Sequence, residues 1–220
     1  MTESVCVLPD RDVIEALART LQGQAQAAGH RATLLLSGDA DWTASQARRA
    51  VAASPRLTPT WLTGRPLAEN TIPLRAADRL LGSDLDLLVY DAHSGFDPDG
   101  FGAATGAIRG GGLLLLLTPP LADWPDLTDP QAERIAVWPT TAESVPGRFL
   151  RRLARLLGSD PGLIRLTQGD AGSVSTAQRF LSDRARFTPE PNAPARTAQA
   201  SDPDPAEPAT SDQEHAIAAV

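Results

Sequence analysis

Three short stretches of this chain, residues 32–36, 85–90 and 113–117, are apolar almost without interruption. A strand with one face in water alternates apolar and polar residues, whereas a strand that is apolar on both sides of its pleat has to be covered on both faces. The segments between these runs carry helical spacing instead. In residues 10–28, Val13, Leu17 and Leu21 recur every fourth position, Asp10 stands where a cap belongs and Gly29 stops the pattern. Residues 41–53 gather Ala44, Ala47, Ala50 and Val51 on one side, residues 73–81 gather Leu74, Ala77 and Leu81, and residues 97–108 gather Phe101, Thr105 and Ile108. Residues 149–157 read as an amphipathic helix with Leu150, Leu153, Ala154 and Leu157 facing inward, closed by Gly158. Weaker strands are predicted at 60–62, 135–138 and 163–166. Covered strands joined through helices by right-handed crossovers give an α/β fold: a doubly wound, mostly parallel sheet with helices on both faces.

Composition then removes whole classes of chemistry. All 20 basic residues of the 220 are arginine. Without lysine there is no phosphate-loop lysine for a nucleotide, no Schiff-base nucleophile and no kinase-type or receiver-type lysine. The single cysteine, Cys6, excludes an internal disulfide and a cysteine-cluster zinc site, and His30, His93 and His215 show no metal-ligand spacing. No run approaches the roughly 18 apolar residues of a membrane span. The first ten residues lack a basic start followed by an apolar stretch, so the expected location is cytoplasmic. The charge is unevenly spread. Residues 188–220 hold six acids against one arginine, while residues 1–187 hold 21 acids against 19 arginines and are nearly neutral. From about residue 188 the chain is rich in Pro, Ala, Ser, Thr and acids with no apolar periodicity, which reads as a disordered acidic linker over 188–210. Helical features return at 211–220, where Ser211 and Glu214 have capping-box spacing ahead of Ala216, Ile217 and Val220.

Ligands of doubly wound sheets bind beyond the carboxyl ends of the strands. Three segments fall there, and their polar residues are the candidate site: Ser37, Gly38 and Asp39 after the first strand, Asp91 and His93 after a central one, and Thr118 after the next. Acids and a threonine in this arrangement could hold Mg²⁺ with Asp91 as a phosphoryl acceptor, but such a site also uses the lysine that this chain lacks. Otherwise Asp39 caps the next helix, Asp91 sits in a loop and His93 bonds local backbone. No G-x-G-x-x-G follows a strand, and the glycines between 95 and 112 read as allowing close helix packing and a tight turn. Arg148, Arg151, Arg152 and Arg155 line one helix, either as a solvated face or as a contact for RNA phosphates or another domain. Trp42, Trp61, Trp124 and Trp138 are packing residues or stacking platforms.

Two of these strand ends carry a family resemblance. Leu34-Leu35-Leu36-Ser37-Gly38-Asp39-Ala40-Asp41-Trp42 and Val89-Tyr90-Asp91-Ala92-His93-Ser94-Gly95-Phe96-Asp97 resemble the N-terminal domain of the bacterial tRNA(Met) cytidine acetyltransferases. The helix from Gly100, the strand ending before Pro119, the loop with Trp124, the arginine helix and Arg186-Phe187-Thr188-Pro189 fit the same pattern, so the resemblance spans roughly residues 10–190. It implies a Rossmann-like domain over 1–187, then the linker, then at 211–220 the start of a helicase-like ATPase module in which Gln213 would lie near the nucleotide. It further implies an enzyme that N4-acetylates the wobble cytidine of elongator tRNA(Met) with acetyl-CoA and ATP (with Mg²⁺). The phosphate loop, acetyl-CoA site and tRNA-binding region of that enzyme have no counterpart in these 220 residues. The implied role is therefore a non-catalytic domain that docks onto the helicase-like and acetyltransferase modules of the same polypeptide, with tRNA contact through the arginine helix as an added option. The alternative from the residues alone is a stand-alone nucleotide- or phosphate-binding α/β module.

Overall fold

The five leucines at 113–117 alternate between two cores. Leu113, Leu115 and Leu117 enter one cluster with Leu34, Leu36, Leu87 and Val89, while Leu114 and Leu116 enter another with Leu35, Leu88 and Tyr90. A continuous apolar run is thus split by the pleat into two buried faces. The computed structural model describes residues 10–132, 136–139, 141 and 147–185. The chain runs α1 (Asp10–Ala28), β1 (Ala32–Ser37), α2 (Ala40–Ala52), β2 (Pro59–Leu62), β3 (Thr71–Ile72), a 3-10 segment (Leu74–Leu80), β4 (Leu85–Asp91), α3 (Pro98–Gly106), β5 (Ile108–Thr118), α4 (Arg148–Ser159), β6 (Ile164–Thr167) and α5 (Ala171–Ala185). The six strands form one sheet in the order β3-β2-β4-β5-β1-β6, with every pairing parallel. Helices α1, α2 and α5 cover one face; the 3-10 segment, α3 and α4 cover the other. This is the doubly wound, Rossmann-like α/β architecture that the apolar runs require.

Several local expectations are corrected. In place of the α-helix expected over 73–81 stands a 3-10 segment, Leu74–Leu80, that kinks at Ala76 (φ −109°, ψ 17°), and Leu81, expected on its apolar face, is extended and exposed. The helix expected to reach Ile108 stops at Gly106, and Ile108 opens a strand of 11 residues. The expected strand at 135–138 does not form: Ala136, Val137 and Trp138 lie outside any strand, Val137 and Trp138 are exposed, and Ile135 is outside the described residues. Strand β3 and helix α5 were not anticipated. Helix α5 contributes Val174, Ala177, Phe180 and Leu181 to the first core, a spacing of three and four that is diluted by the polar residues between. Three tryptophans, Trp42, Trp61 and Trp124, pack against the cores, whereas Trp138 is exposed. The linker at 188–210 and the segment at 211–220 lie outside the described residues.

The glycine run at 110–112 is an insertion within β5. Leu85 pairs with Ile108 and Leu87 with Leu113, so two steps along β4 match five along β5. Gly111 has φ +84°, its N–H donates to the His30 carbonyl at 2.6 Å, and a Cβ there would stand 3.0 Å from Gln26 Cγ. The bulge brings the strand against the end of α1, and only glycine fits that backbone. Gly111→Ala is expected to destabilise the fold by about 1–2 kcal/mol. Gly102, which lies within α3 and faces open space, gives the opposite sign: Gly102→Ala is expected to stabilise by about 0.5–1 kcal/mol. Urea unfolding of the two variants beside the parent checks both signs.

Candidate functional site

After β1 the chain turns to α2 on one face of the sheet, and after β5 it turns towards α4 on the other. The carboxyl ends of β1 and β5, where Ser37 is in register with Thr118, therefore form the topological switch point. This crevice is closed by the chain's own groups. Gly38 N–H donates to the Thr118 carbonyl at 3.1 Å. Ser37 Oγ, fully buried, donates to the Pro119 carbonyl at 3.1 Å and accepts from Leu121 N–H at 3.2 Å. Asp39 occupies the N-cap position of α2 without a side-chain cap bond. Its N–H donates to Gln168 Oε1 at 2.6 Å, and its carboxylate accepts from Gln168 Nε2 at 3.1 Å. A Cβ on Gly38 would lie 2.6 Å from Gln168 Cβ and 2.9 Å from the Trp42 ring, so glycine is what lets Gln168 cross the mouth.

Asp91 is the last residue of β4 rather than a loop residue, and it is completely buried. Its Oδ2 accepts from Thr63 Oγ1 at 2.6 Å, Arg65 Nε at 2.8 Å and Ser94 Oγ at 2.8 Å. Its Oδ1 accepts from an Arg65 terminal nitrogen at 3.0 Å and from His93 N–H at 3.2 Å. A carboxylate has about four lone-pair positions, and five donors saturate it. Burial alone would raise the Asp91 pKa; the hydrogen bonds from Arg65 and Thr63, the Arg65 charge and the Ser94 hydroxyl outweigh burial and hold it below its ordinary value. With every lone pair engaged, this carboxyl group is placed neither to ligate a metal nor to attack a phosphoryl group.

His93 leaves the same turn and crosses towards β5 and α2. Its Nε2 is 3.1 Å from the hydroxyl of buried Thr43. Burial, opposed by the Asp91 charge and reinforced by that of Arg65, pushes its pKa down, so the ring is neutral near pH 7. Thr118 is buried, and its hydroxyl finds no hydrogen-bond partner among the described residues. The structure thus brings Ser37, Gly38, Asp39, Asp91, His93 and Thr118 to one rim, as two linked polar clasps. Arg65, Thr63 and Gln168, which hold those clasps shut, escaped the sequence reading. Arg148, Arg151, Arg152 and Arg155 are exposed on α4, and Gln213 lies outside the described residues. Among the described residues no group of three or more His, Cys, Asp or Glu could hold a metal ion, and no helix is long and apolar enough to cross a membrane.

Residues 10–168 match the family model described as tRNA(Met) cytidine acetyltransferase TmcA, N-terminal. The chain belongs to this family. It is similar to the tRNA(Met) cytidine acetyltransferase TmcA of Nitrosococcus halophilus, with 47% identity over 163 residues, which is 73% of this chain and 22% of the relative. It is also similar to the TmcA of Haloferax volcanii (39% over 170 residues, 76% of this chain and 22% of the relative) and of Citrobacter koseri (33% over 156 residues, 70% and 22%). The match is to the N-terminal domain of the family and spans about a fifth of the relatives' length.

Two acid-sensitive groups follow from this geometry. The Asp91 pKa is lower folded than unfolded, so its contribution to stability is full above its ordinary value of 3.8 and is lost as pH falls through the lower folded value. The His93 pKa is also lower folded, so the stability tied to its neutral ring is full above 6.5 and is lost as pH falls below that value. Asp91→Asn should cost about 3 kcal/mol at pH 7, because it leaves the Arg65 charge without its partner. His93→Gln should remove much of the fall in melting temperature that begins below pH 6.5. Thermal melts across pH 3–8 read both effects.

Proposed function

We propose that this chain is a non-catalytic scaffold domain of a cytoplasmic enzyme that N4-acetylates the wobble cytidine of elongator tRNA(Met) with acetyl-CoA and ATP. The observation that carries the non-catalytic reading is that the rim's central carboxylate, Asp91, is saturated and that Ser37, Asp39 and His93 bond to the chain's own groups, with the Thr118 hydroxyl left unpartnered among the described residues. Ser37, Asp39, Asp91 and His93 spend their hydrogen bonds on Pro119, Leu121, Gln168, Arg65, Thr63, Ser94 and Thr43. A catalytic site needs groups held ready for a substrate; these groups are used to hold the sheet ends together. The family match over residues 10–168 supports the assignment to an N-terminal domain. In this reading acetyl-CoA, ATP with Mg²⁺ and the tRNA engage helicase-like and acetyltransferase modules of the longer polypeptide. The domain's work is to dock onto those modules.

Incubated with elongator tRNA(Met), acetyl-CoA, ATP and Mg²⁺, the 220-residue chain should yield no N4-acetylcytidine above a no-protein control, measured by nucleoside mass spectrometry. Robust acetylation by the chain alone would refute the scaffold reading. Calorimetric titration with ATP should give no saturable heat, and a strong signal abolished by Asp91→Ala would favour a nucleotide-binding module instead.

A further inference from the structure

Helix α4 has two apolar sides. The inner one, Leu150 and Ala154 with Leu153 and Leu157 beside them, packs into the second core. The outer one carries Phe149 at 48% and Leu156 at 51% exposure. Phe149, Arg152 and Leu156 are spaced i, i+3, i+7 and so share a stripe, and Arg148 and Arg155 flank it. Arg151 is taken by Asp126 at 3.2 Å, whereas Arg148, Arg152 and Arg155 have no ion pair or hydrogen bond among the described residues. Phe149 is no loose side chain: its ring packs 5.7 Å from that of Phe96, which in turn contacts Tyr90, Phe101 and Trp124. A ring fixed from behind and open in front loses little conformational freedom when a partner covers it.

We propose that this outer face of α4 docks against the polypeptide that the relatives carry beyond the matched region. Phe149 and Leu156 are the apolar anchors, and Arg148, Arg152 and Arg155 meet carboxylates that rim the opposing apolar surface. The proposal rests on the scaffold reading above and names the surface it uses. Two observations favour a protein occupant over nucleic acid. An aliphatic anchor such as Leu156 offers nothing to a phosphate backbone, and residues 1–187 are nearly charge-neutral, which is unlike a nucleic-acid footprint. In each of these relatives about four-fifths of the polypeptide lies outside the match, so a long protein segment is covalently tethered to the matched domain there. Aromatic and arginine side chains together are the residue types that anchor protein interfaces.

The test uses the 220-residue chain and, as probe, the TmcA of Nitrosococcus halophilus lacking its matched N-terminal region and showing a cooperative melt. Binding is read by biolayer interferometry at two salt concentrations. The parent chain should bind, and Phe149→Ser with Leu156→Ser should weaken binding about tenfold or more at either salt. Arg148→Glu with Arg152→Glu and Arg155→Glu should weaken it most at low salt. Arg19→Glu, on α1 across the sheet, should bind as the parent does. The arginine variants change exposed side chains and should melt within a few degrees of the parent, whereas Phe149→Ser gives up its contact with Phe96 and lowers the melt, so binding is compared at a temperature where circular dichroism shows every variant folded. Unchanged binding by both α4 variants would overturn the assignment of the surface and leave the scaffold reading standing. No association of the parent at any attainable concentration would overturn both. Two further outcomes would also overturn it. One is elongator tRNA(Met) binding that is lost on arginine reversal while probe binding is intact. The other is self-association of the chain that is lost in the Phe149 and Leu156 variant.

Discussion

A carboxylate with no solvent exposure sits at the end of β4, between β2 and β5 in the sheet, and the local architecture is arranged around meeting it. Asp91 cannot be neutralised cheaply by protonation at ordinary pH, and left bare it would cost several kcal/mol. Arg65 answers it with two parallel N–H donors, which places the loop after β2 beside the turn after β4. Thr63 and Ser94 bind the same oxygen, Gly64 N–H donates to Ser94 Oγ at 2.9 Å, and Thr63 N–H donates to the Ile72 carbonyl at 2.9 Å. One buried charge therefore orders β2, β3, β4 and their connections. His93 carries the constraint onward from the same turn to Thr43 of α2.

The layering was legible because it follows from solvent exclusion. A run such as Leu113–Leu117 has no polar side to show water, so parallel strands under helices were the solution. The same logic found β1, β4 and the flanking helices to within a few residues. It failed where the pattern was diluted. The apolar stripe of α5 is broken up by Ser, Thr and Gln, and β3 consists of two residues whose pairing depends on β2 being beside them. It also failed at 136–138, where Val137 and Trp138 stand exposed outside any strand.

At the rim, the sequence located the polar residues but not their use. Position after a strand end identified Ser37, Asp39, Asp91, His93 and Thr118. Their partners come from distant parts of the chain. Arg65 reaches Asp91 across 26 positions and Gln168 reaches Asp39 across 129, and neither separation leaves a local signature. One signal was available for Arg65. A strand-end acid in a lysine-free, apolar setting needs a cation, and the only arginine in the loop after the neighbouring strand is this one. Such an argument requires the strand order, which the pattern does not give.

The sheet ends on β3, two residues long, at one edge and on β6, four residues long with Arg165 in it, at the other. Unpaired N–H and C=O groups along a sheet edge are templates for adding foreign strands, and short or charged edges blunt that tendency. A neighbouring polypeptide therefore finds almost no backbone ladder here to extend. A partner docking on this domain would have to be read from side chains, which would make such docking sensitive to point substitution.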